Sequence, residues 1–335
     1  MQTKRSVTAS VLVTGYGGFL GRAICRELLR HGYRVRGMAR GLYPDMQAIG
    51  VECVQASATD PLACEAVCRG MDAVIHTAAL AGVWGPAKKF EQTNIDATAN
   101  LLGSCKQGNI GAFVYTSSPS VTFNGSAQTN VDESAPYPTQ WLCHYPRTKA
   151  IAEQLVLSEN RPSGMATCSL RPHLIWGVGD PHLIPRVIDN CRSGRLRRVG
   201  DGRNWIDTVH VDHAAIAHRL ALERMLDRDQ NASGRAYFIT DGEPVECWKW
   251  IETILESAKL TPPKLGVSFK AAYRIGALLE AVYSVLRIST EPPMTRFVAA
   301  QLGVDHYFNI ASAKERLGYV PIHNRSERIA ELGLA

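Results

Sequence analysis

The chain contains no Cys-Xaa-Xaa-Cys pair, no internal repeat, no low-complexity tract and no terminal arm that gathers one sign of charge. Each absence removes a class of protein. Nine cysteines (Cys25, Cys53, Cys64, Cys68, Cys105, Cys143, Cys168, Cys191 and Cys247), odd in number and scattered through apolar stretches, read as reduced buried thiols and not as a disulfide framework. Cys64 and Cys68 lie four apart on a predicted helix, but no matching ligand pair follows, so no metal site is expected. At the start, Lys4 and Arg5 precede only Val7 to Val13, too short and too polar a segment for a signal peptide. A cytoplasmic location is therefore expected. The net charge of +6, from 37 basic and 31 acidic residues, is spread along the chain, which argues against a nucleic-acid partner. What remains, with 335 residues, 45% of them hydrophobic, is an ordinary globular composition, long enough for one large domain and a smaller companion.

Between residues 8 and 120, short β-branched runs alternate with helical patterns. Val11 to Val13, Tyr33 to Met38, Val51 to Gln55, Ala73 to His76 and Ala112 to Tyr115 read as strands, and Leu20 to Arg30 and Lys88 to Gln107 as helices. A helix from Pro146 to Glu159 and a strand from Thr167 to Arg171 continue the series. Parallel neighbours need right-handed helical crossovers, so the alternation predicts an α/β fold built on a doubly wound parallel sheet. After Arg171 the texture changes: Pro172, Gly177, Gly179, Pro181 and Pro185 punctuate the chain, and a Gly/Arg-rich loop runs from Ser193 to Gly202. The first domain is predicted over 1–172, rejoined by 205–240 through a strand at Ala236 to Thr240. The companion then comprises 173–204 and 241–335.

One stretch of the companion, Phe269 to Ile288, is amphipathic at helical spacing: Ile275, Leu278, Leu279, Val282, Val285 and Leu286 share a face. Charges at 270, 274, 280 and 287 interrupt it, so it does not span a bilayer. Packing on the small domain is the ordinary reading. A lid, a membrane-surface helix or a contact for a partner protein is the sharper one.

Three motifs carry chemistry. Thr14-Gly15-Tyr16-Gly17-Gly18-Phe19-Leu20-Gly21 follows the first strand and opens the first helix, where glycines give a tight turn, close backbone approach and helix N–H groups for a pyrophosphate. The second strand ends Arg34-Val35-Arg36-Gly37-Met38-Ala39-Arg40 with no acid before Asp45. A carboxylate there would accept from a ribose 2′-hydroxyl, whereas a guanidinium grips a 2′-phosphate, so NADP(H) is favoured over NAD(H), with Arg40 the first choice for the contact and Arg36 the second. Tyr145 and Lys149 sit four apart at the start of a helix, and the ammonium favours the phenolate of its neighbour. Ser117 and Ser118, at the end of the fifth strand, supply a hydroxyl donor, and adjacency leaves open which one faces the substrate.

These motifs, with His76-Thr77-Ala78-Ala79, Tyr115-Thr116-Ser117-Ser118 and Arg171-Pro172, resemble the extended branch of the short-chain dehydrogenase/reductases. Within it, Val-Tyr-Thr-Ser-Ser-Pro-Ser-Val and Gly200-Asp201-Gly202 are similar to the 3β-hydroxysteroid dehydrogenase subfamily. Ala81-Gly82-Val83-Trp84-Gly85, Leu174 to Asp180 with His182-Leu183-Ile184-Pro185, and Ser268-Phe269-Lys270 to Gly276 resemble the bacterial 2-alkyl-3-oxoalkanoate reductases of long-chain olefin biosynthesis. The resemblance implies a Rossmann domain over 1–172, a small lipid-like substrate and NADPH-linked reduction of a 2-alkyl-3-oxo acid to the 3-hydroxy acid. A 3β-hydroxysteroid dehydrogenase is the nearest alternative, and a sugar-nucleotide epimerase or dehydratase comes third. It also implies a catalytic group of Ser118, Tyr145 and Lys149. The implied cofactor set is Gly15, Tyr16, Gly17, Gly18, Phe19, Leu20, Gly21, Arg40, Ala78, Ala79, Tyr145 and Lys149. A homodimer through the helices Lys88 to Gln107 and Pro146 to Glu159 is implied too, as is assembly with neighbouring pathway enzymes. One departure stands out: where relatives carry an Asp after the third strand to meet adenine, this chain has Ser57, with Asp60 three residues on.

Three further expectations concern the cleft. An arginine among Arg186, Arg192, Arg195, Arg197, Arg198 and Arg203 could hold a substrate carboxylate, although a solvated basic loop is favoured. His210 and His213 lack a third ligand and read as structural. Trp84 either lines the apolar pocket or packs.

Overall fold

The computed structural model describes residues 9–322 and 325–334; Lys4, Arg5 and Val7, discussed above, lie outside them. Seven strands form one parallel sheet: β1 (Ser10–Thr14), β2 (Arg34–Ala39), β3 (Glu52–Gln55), β4 (Ala73–His76), β5 (Ala112–Thr116), β6 (Ala166–Pro172) and β7 (Arg235–Ile239). Their order is β7-β6-β5-β4-β1-β2-β3. Side chains alternate across it as strand geometry requires. Val11 and Val13 enter one core with Ile24 and Leu28 of helix α1 (Phe19–Arg30), while Leu12 enters the other with Leu101 and Leu102 of α3 (Ala97–Gln107). Helix α2 (Pro61–Cys68) completes the second layer, and Cys64, Cys68 and Cys105 are buried there as free thiols. The chain leaves β3 at one edge and returns on the other side of β1 as β4. That reversal opens a crevice at the carboxyl ends of β1 and β4, where ligands bind in sheets of this kind.

The strand predicted to return does so: β7 pairs in parallel with β6, Ala236 opposite Ser169 and Phe238 opposite Arg171. A separate core gathers Trp176, Ile184, Trp248, Trp250, Ile251 and Ile254 around α5 (Leu183–Arg192) and α7 (Cys247–Ser257), while α6 (Val211–Leu226) covers the large sheet.

Two elements differ from expectation. The single helix read over Lys88 to Gln107 is interrupted: after Ala87–Phe90 the residues Glu91–Asp96 form a π turn before α3 begins. A π turn inserts an extra residue and re-aims a side chain. Here the re-aimed group is Asn94, which accepts from the Leu80 backbone N–H at 2.7 Å and donates to the Leu80 carbonyl at 3.1 Å.

The second difference is α8 (Phe269–Val285). The expected packing of its apolar stripe on the small domain does not occur. Leu278 is 65% and Val285 81% exposed, with Ile275, Val282 and Leu286 also in solvent. The helix instead packs through its small residues Ala272 and Gly276 against α9 (Arg296–Gly303), because only small side chains let the two backbones approach. A Cβ on Gly276 would sit 2.6 Å from the carbonyl carbon of Thr295.

Candidate active site

Gly15 leaves β1 with φ +70°, a conformation that a side chain disfavours, and its N–H donates to the Met38 carbonyl at 2.8 Å. A Cβ on Gly21 would lie 2.2 Å from the Gly15 carbonyl oxygen, so α1 rests directly on the turn. No side chain caps the amino end of α1 at Gly18, which leaves that end open to a ligand. Gly15, Gly18, Phe19, Leu20, Gly21, Ala78 and Ala79 all face a cleft of about 1070 Å³. Tyr16 and Gly17 do not line it. Tyr16 is fully buried beneath Gly37, and a Cβ on Gly17 would meet the Tyr43 ring at 1.9 Å, so these two hold the turn from behind.

At one end of the cleft lie Met38, Arg40, Tyr43, Ser57 and Thr59. Arg40 is exposed, and among the described residues no carboxylate pairs with it. The second choice, Arg36, is elsewhere: its guanidinium binds Glu52 at 2.9 Å and the carbonyls of Val67 and Arg69, on the far side of β2. Position along the strand explains the difference: Arg36 lies within β2 opposite Glu52, whereas Arg40 follows its last residue, at the carboxyl end where the cleft opens. Asp45 is paired with Arg22. Asp60 is not an adenine contact here either; its carboxylate caps α2 by accepting from the N–H groups of Leu62 and Ala63. Ser57 is the residue that reaches the cleft.

At the other end, Ser117, Ser118, Tyr145 and Lys149 converge. Tyr145 and Lys149 belong to the first turns of α4 (His144–Ser158), and the serines follow β5. Burial pushes the Tyr145 phenol above its usual value, and a hydrogen bond with Ser118 pulls it partly back. Ser118 also bonds Ser120 Oγ at 2.8 Å. Ser117 sits deeper, beside Glu153. The expectation that Lys149 draws the phenol toward phenolate is not met in this geometry. Its Nζ donates to the Thr116 carbonyl and stands 4.0 Å over the Tyr115 ring, and burial lowers its pKa to about 7 against a weaker opposing pull from Glu153.

Three supporting groups were given no role by the sequence, although His76 stands in one of the sequence motifs and Arg171, which binds the first of these groups, in another. Glu153 falls one turn after Lys149 and is fully buried; Arg171 binds it through Nε and Nη2, the latter at 2.6 Å, and Tyr137 donates to it at 2.7 Å. Burial alone would raise the Glu153 carboxyl, but Arg171, Ser117 and Tyr137 outweigh it and hold the group ionised. His76 bridges Thr14 Oγ1 at 2.7 Å and Thr98 Oγ1 at 3.0 Å, stapling β1 to β4, with burial driving its pKa down to about 3. Asn94 adds a 3.0 Å bond to Thr148 of α4, linking the π turn to the helix that carries Tyr145. Only the interrupted helix brings Asn94 there.

None of the six arginines considered for a carboxylate lines the cleft: Arg186 pairs with Glu291, Arg198 with Glu252, and Arg197 bonds nearby carbonyls. The basic cleft residues are Arg40, Lys89, Lys149 and His182. Trp84 does not line the cleft; its Nε1 donates to the Ile288 carbonyl at 3.0 Å and its ring meets Tyr283 edge-on. His213 is tied to Asp241 at 2.7 Å and the His210 N–H to the same carboxylate, a structural use. No cluster among the described residues has the composition of a metal site.

This geometry has known relatives. The model of the 3-beta hydroxysteroid dehydrogenase/isomerase family matches residues 12–269. The chain belongs to that family. The 2-alkyl-3-oxoalkanoate reductase of Shewanella oneidensis is 42% identical over 96% of this chain and 84% of its own. The enzyme of the same name from Stenotrophomonas maltophilia is 43% identical over 93% of this chain and 94% of its own. Among solved structures, UDP-glucose 4-epimerase from Thermotoga maritima superposes with a TM-score of 0.75 at 19% identity, covering 97% of both chains, a likeness of fold.

As a 3-beta hydroxysteroid dehydrogenase/isomerase family member the protein is an NAD(P)-dependent oxidoreductase of the short-chain dehydrogenase/reductase type, with a Rossmann sheet. The residues present fit such a cofactor. The glycine turn leaves its wall bare, α1 offers an uncapped amino end, and the cleft volume is at the upper end of the range for ligand sites.

Proposed function

We propose that this protein reduces the ketone of a 2-alkyl-3-oxoalkanoic acid to the 3-hydroxy acid with NADPH, in the long-chain olefin or β-lactone route that its resemblance implies. The observation that carries the reading is the meeting of the Tyr145 phenol and the Ser118 hydroxyl at the end of a dinucleotide-sized cleft, beside Lys149. Identity of 42–43% to two 2-alkyl-3-oxoalkanoate reductases supports the substrate class.

Bound nicotinamide would supply the hydride to the carbonyl carbon. Tyr145, whose phenol stays protonated at neutral pH, donates its proton to the carbonyl oxygen, and Ser118 hydrogen-bonds the same oxygen as charge develops on it. Lys149, which lines the same end of the cleft, would hold the ribose of the bound nicotinamide, and with a pKa of about 7 it is poised between its two forms. A protonated phenol suits reduction. Oxidation of a 3β-hydroxysteroid, the reading that the family description favours, would need the phenolate first. Arg40, exposed at the adenosine end with no carboxylate beside it, supports NADPH over NADH.

The test is cofactor turnover across 2-alkyl-3-oxo acids, 3β-hydroxysteroids and UDP-sugars with each nicotinamide. Turnover of the oxo acid with NADPH is expected, with Tyr145→Phe losing about 10²- to 10⁴-fold in kcat at unchanged dinucleotide affinity. Arg40→Ala should erode the preference for NADPH. Turnover of the steroid alone would replace the proposed substrate, and full activity in Tyr145→Phe would remove the mechanism.

A further inference from the structure

Helix α8 wears its apolar stripe outward. Ile275, Leu278, Val282, Val285 and Leu286 form a continuous solvent-facing arc, while the opposite side, Ala272 and Gly276, is buried. An exposed patch of this kind on an ordered helix marks a surface that is covered in use. The charges around it are of one sign. Across residues 264–288 the basic residues are Lys264, Lys270, Arg274 and Arg287, and the single acid is Glu280. Glu280 turns inward, accepting from the backbone N–H and the Nε of Arg296. The outward face therefore combines apolar side chains with cations, and all four cations are exposed.

The inner side of the same helix borders the reaction end of the cleft. Tyr283 meets Trp84 in the loop after β4, whose Ala81 lines the cleft, and Trp84 is bonded to the Ile288 carbonyl just beyond the helix. Glu280 and Glu291 are close enough to raise the pKa of Cys143, two residues before Tyr145. Among the described residues no helix is long and apolar enough to cross a membrane, so this one is suited to lie in an interface plane.

We propose that α8 docks the protein on an anionic lipid bilayer, apolar arc in the acyl boundary and Lys270, Arg274 and Arg287 among the headgroups. Charge complementarity selects this occupant. In a two-fold contact across this arc the flanking cations of one copy would face those of the other, since Glu280 turns inward, and like charges oppose that pairing. Docked this way, α8 holds the loop of Ala81 and Trp84, part of which lines the cleft, close to the lipid, where a long-chain substrate of the kind proposed above partitions; the docking rests on that reading only for its purpose.

The experiment is co-sedimentation of the full chain with phosphatidylglycerol/phosphatidylcholine vesicles and with phosphatidylcholine vesicles, without substrate. Wild type should bind the anionic vesicles, more weakly at high salt and weakly without phosphatidylglycerol. Leu278→Glu/Val285→Glu should reduce partitioning about tenfold or more. Its melting midpoint and its turnover of a short, soluble 3-oxo acid should stay unchanged, since neither residue lines the cleft. Failure of wild type to bind anionic vesicles overturns the proposal, as does undiminished binding by the variant. So does a variant whose only change is dissociation of a dimer. Should wild type bind vesicles yet turn over no oxo acid, the docking stands and the substrate assignment falls.

Discussion

Lys149 shows how far function and stability oppose each other at one residue. Its side chain is 2% exposed, and burial lowers its pKa from 10.5 to about 7. Between those values the unfolded chain binds more protons than the folded one, so stability from this group rises as pH climbs from about 7 to 10.5. The cost of burying the ammonium is therefore felt in full at pH 7 and below. Lys149→Met should raise the unfolding free energy at pH 6 by on the order of 1–4 kcal/mol while removing turnover, read from urea melts and cofactor oxidation. Equal or lower stability in that variant would mean that the bond to the Thr116 carbonyl and the attraction to Glu153 outweigh desolvation. At this scale the cluster was legible in residue types and spacing: Tyr145, Lys149 and Ser118 line the same cleft because α4 and β5 place them so. Direction was not legible. Sequence ranked Arg40 above Arg36 without excluding either, and the fold separates them: Arg36, inside β2, is held by Glu52, while Arg40, just past its end, lines the cleft.

At the scale of elements, every strand of the large sheet was visible as a short run; β1, β4, β5 and β6 are buried throughout and read as mostly apolar, whereas β2 and β3, toward one edge, also carry charged residues that face solvent. The helices were less faithful. Periodicity over Lys88 to Gln107 holds no mark of the π turn, whose Asn94 is bound to the distant Leu80 backbone. In α8 the stripe was found and its orientation was not, since periodicity ranks apolar faces and says nothing of a small-residue face that packs more closely. That packing is testable. A Cβ at 276 would lie 2.6 Å from Thr295 C and 2.7 Å from Arg296 N, backbone atoms that cannot swing aside. Gly276→Val should cost roughly 1–3 kcal/mol in thermal or urea melts, and an unchanged midpoint would show that α8 is not held through this face.

The whole molecule is built around histidines that must stay neutral. His173 and His306 share a 2.7 Å bond, His76 staples β1 to β4, and His218 joins Thr116 of β5 to α6. Burial lowers all four: His306 and His218 to about 4, His76 to about 3, and His173 well below its usual value. As pH falls from 6.5 toward 4 the unfolded chain takes up protons that the folded one refuses, so stability is lost across that window. His76, His218 and His306 each contribute on the order of 3 kcal/mol by the lower end of that window, and His173 acts in the same direction. Urea midpoints measured from pH 7.5 to 4.5 should drop steeply below 6.5, and a flat profile would show that these rings find proton acceptors in the fold.

Local sequence determined what could be written in a few neighbouring residues: the parallel sheet, the glycine turn after β1 and the Tyr145/Lys149 pair, each the consequence of a periodicity or spacing that the chain carries wherever it folds. Tertiary structure decided what depends on residues far apart. It brought Arg40 to the cleft and tied Arg36 to Glu52, set Ser118 rather than Ser117 against the Tyr145 phenol, and held Glu153 ionised through Arg171 and Tyr137. It also turned the apolar face of α8 outward. Each of these outcomes is a competition between a side chain and partners that only the finished packing brings within reach.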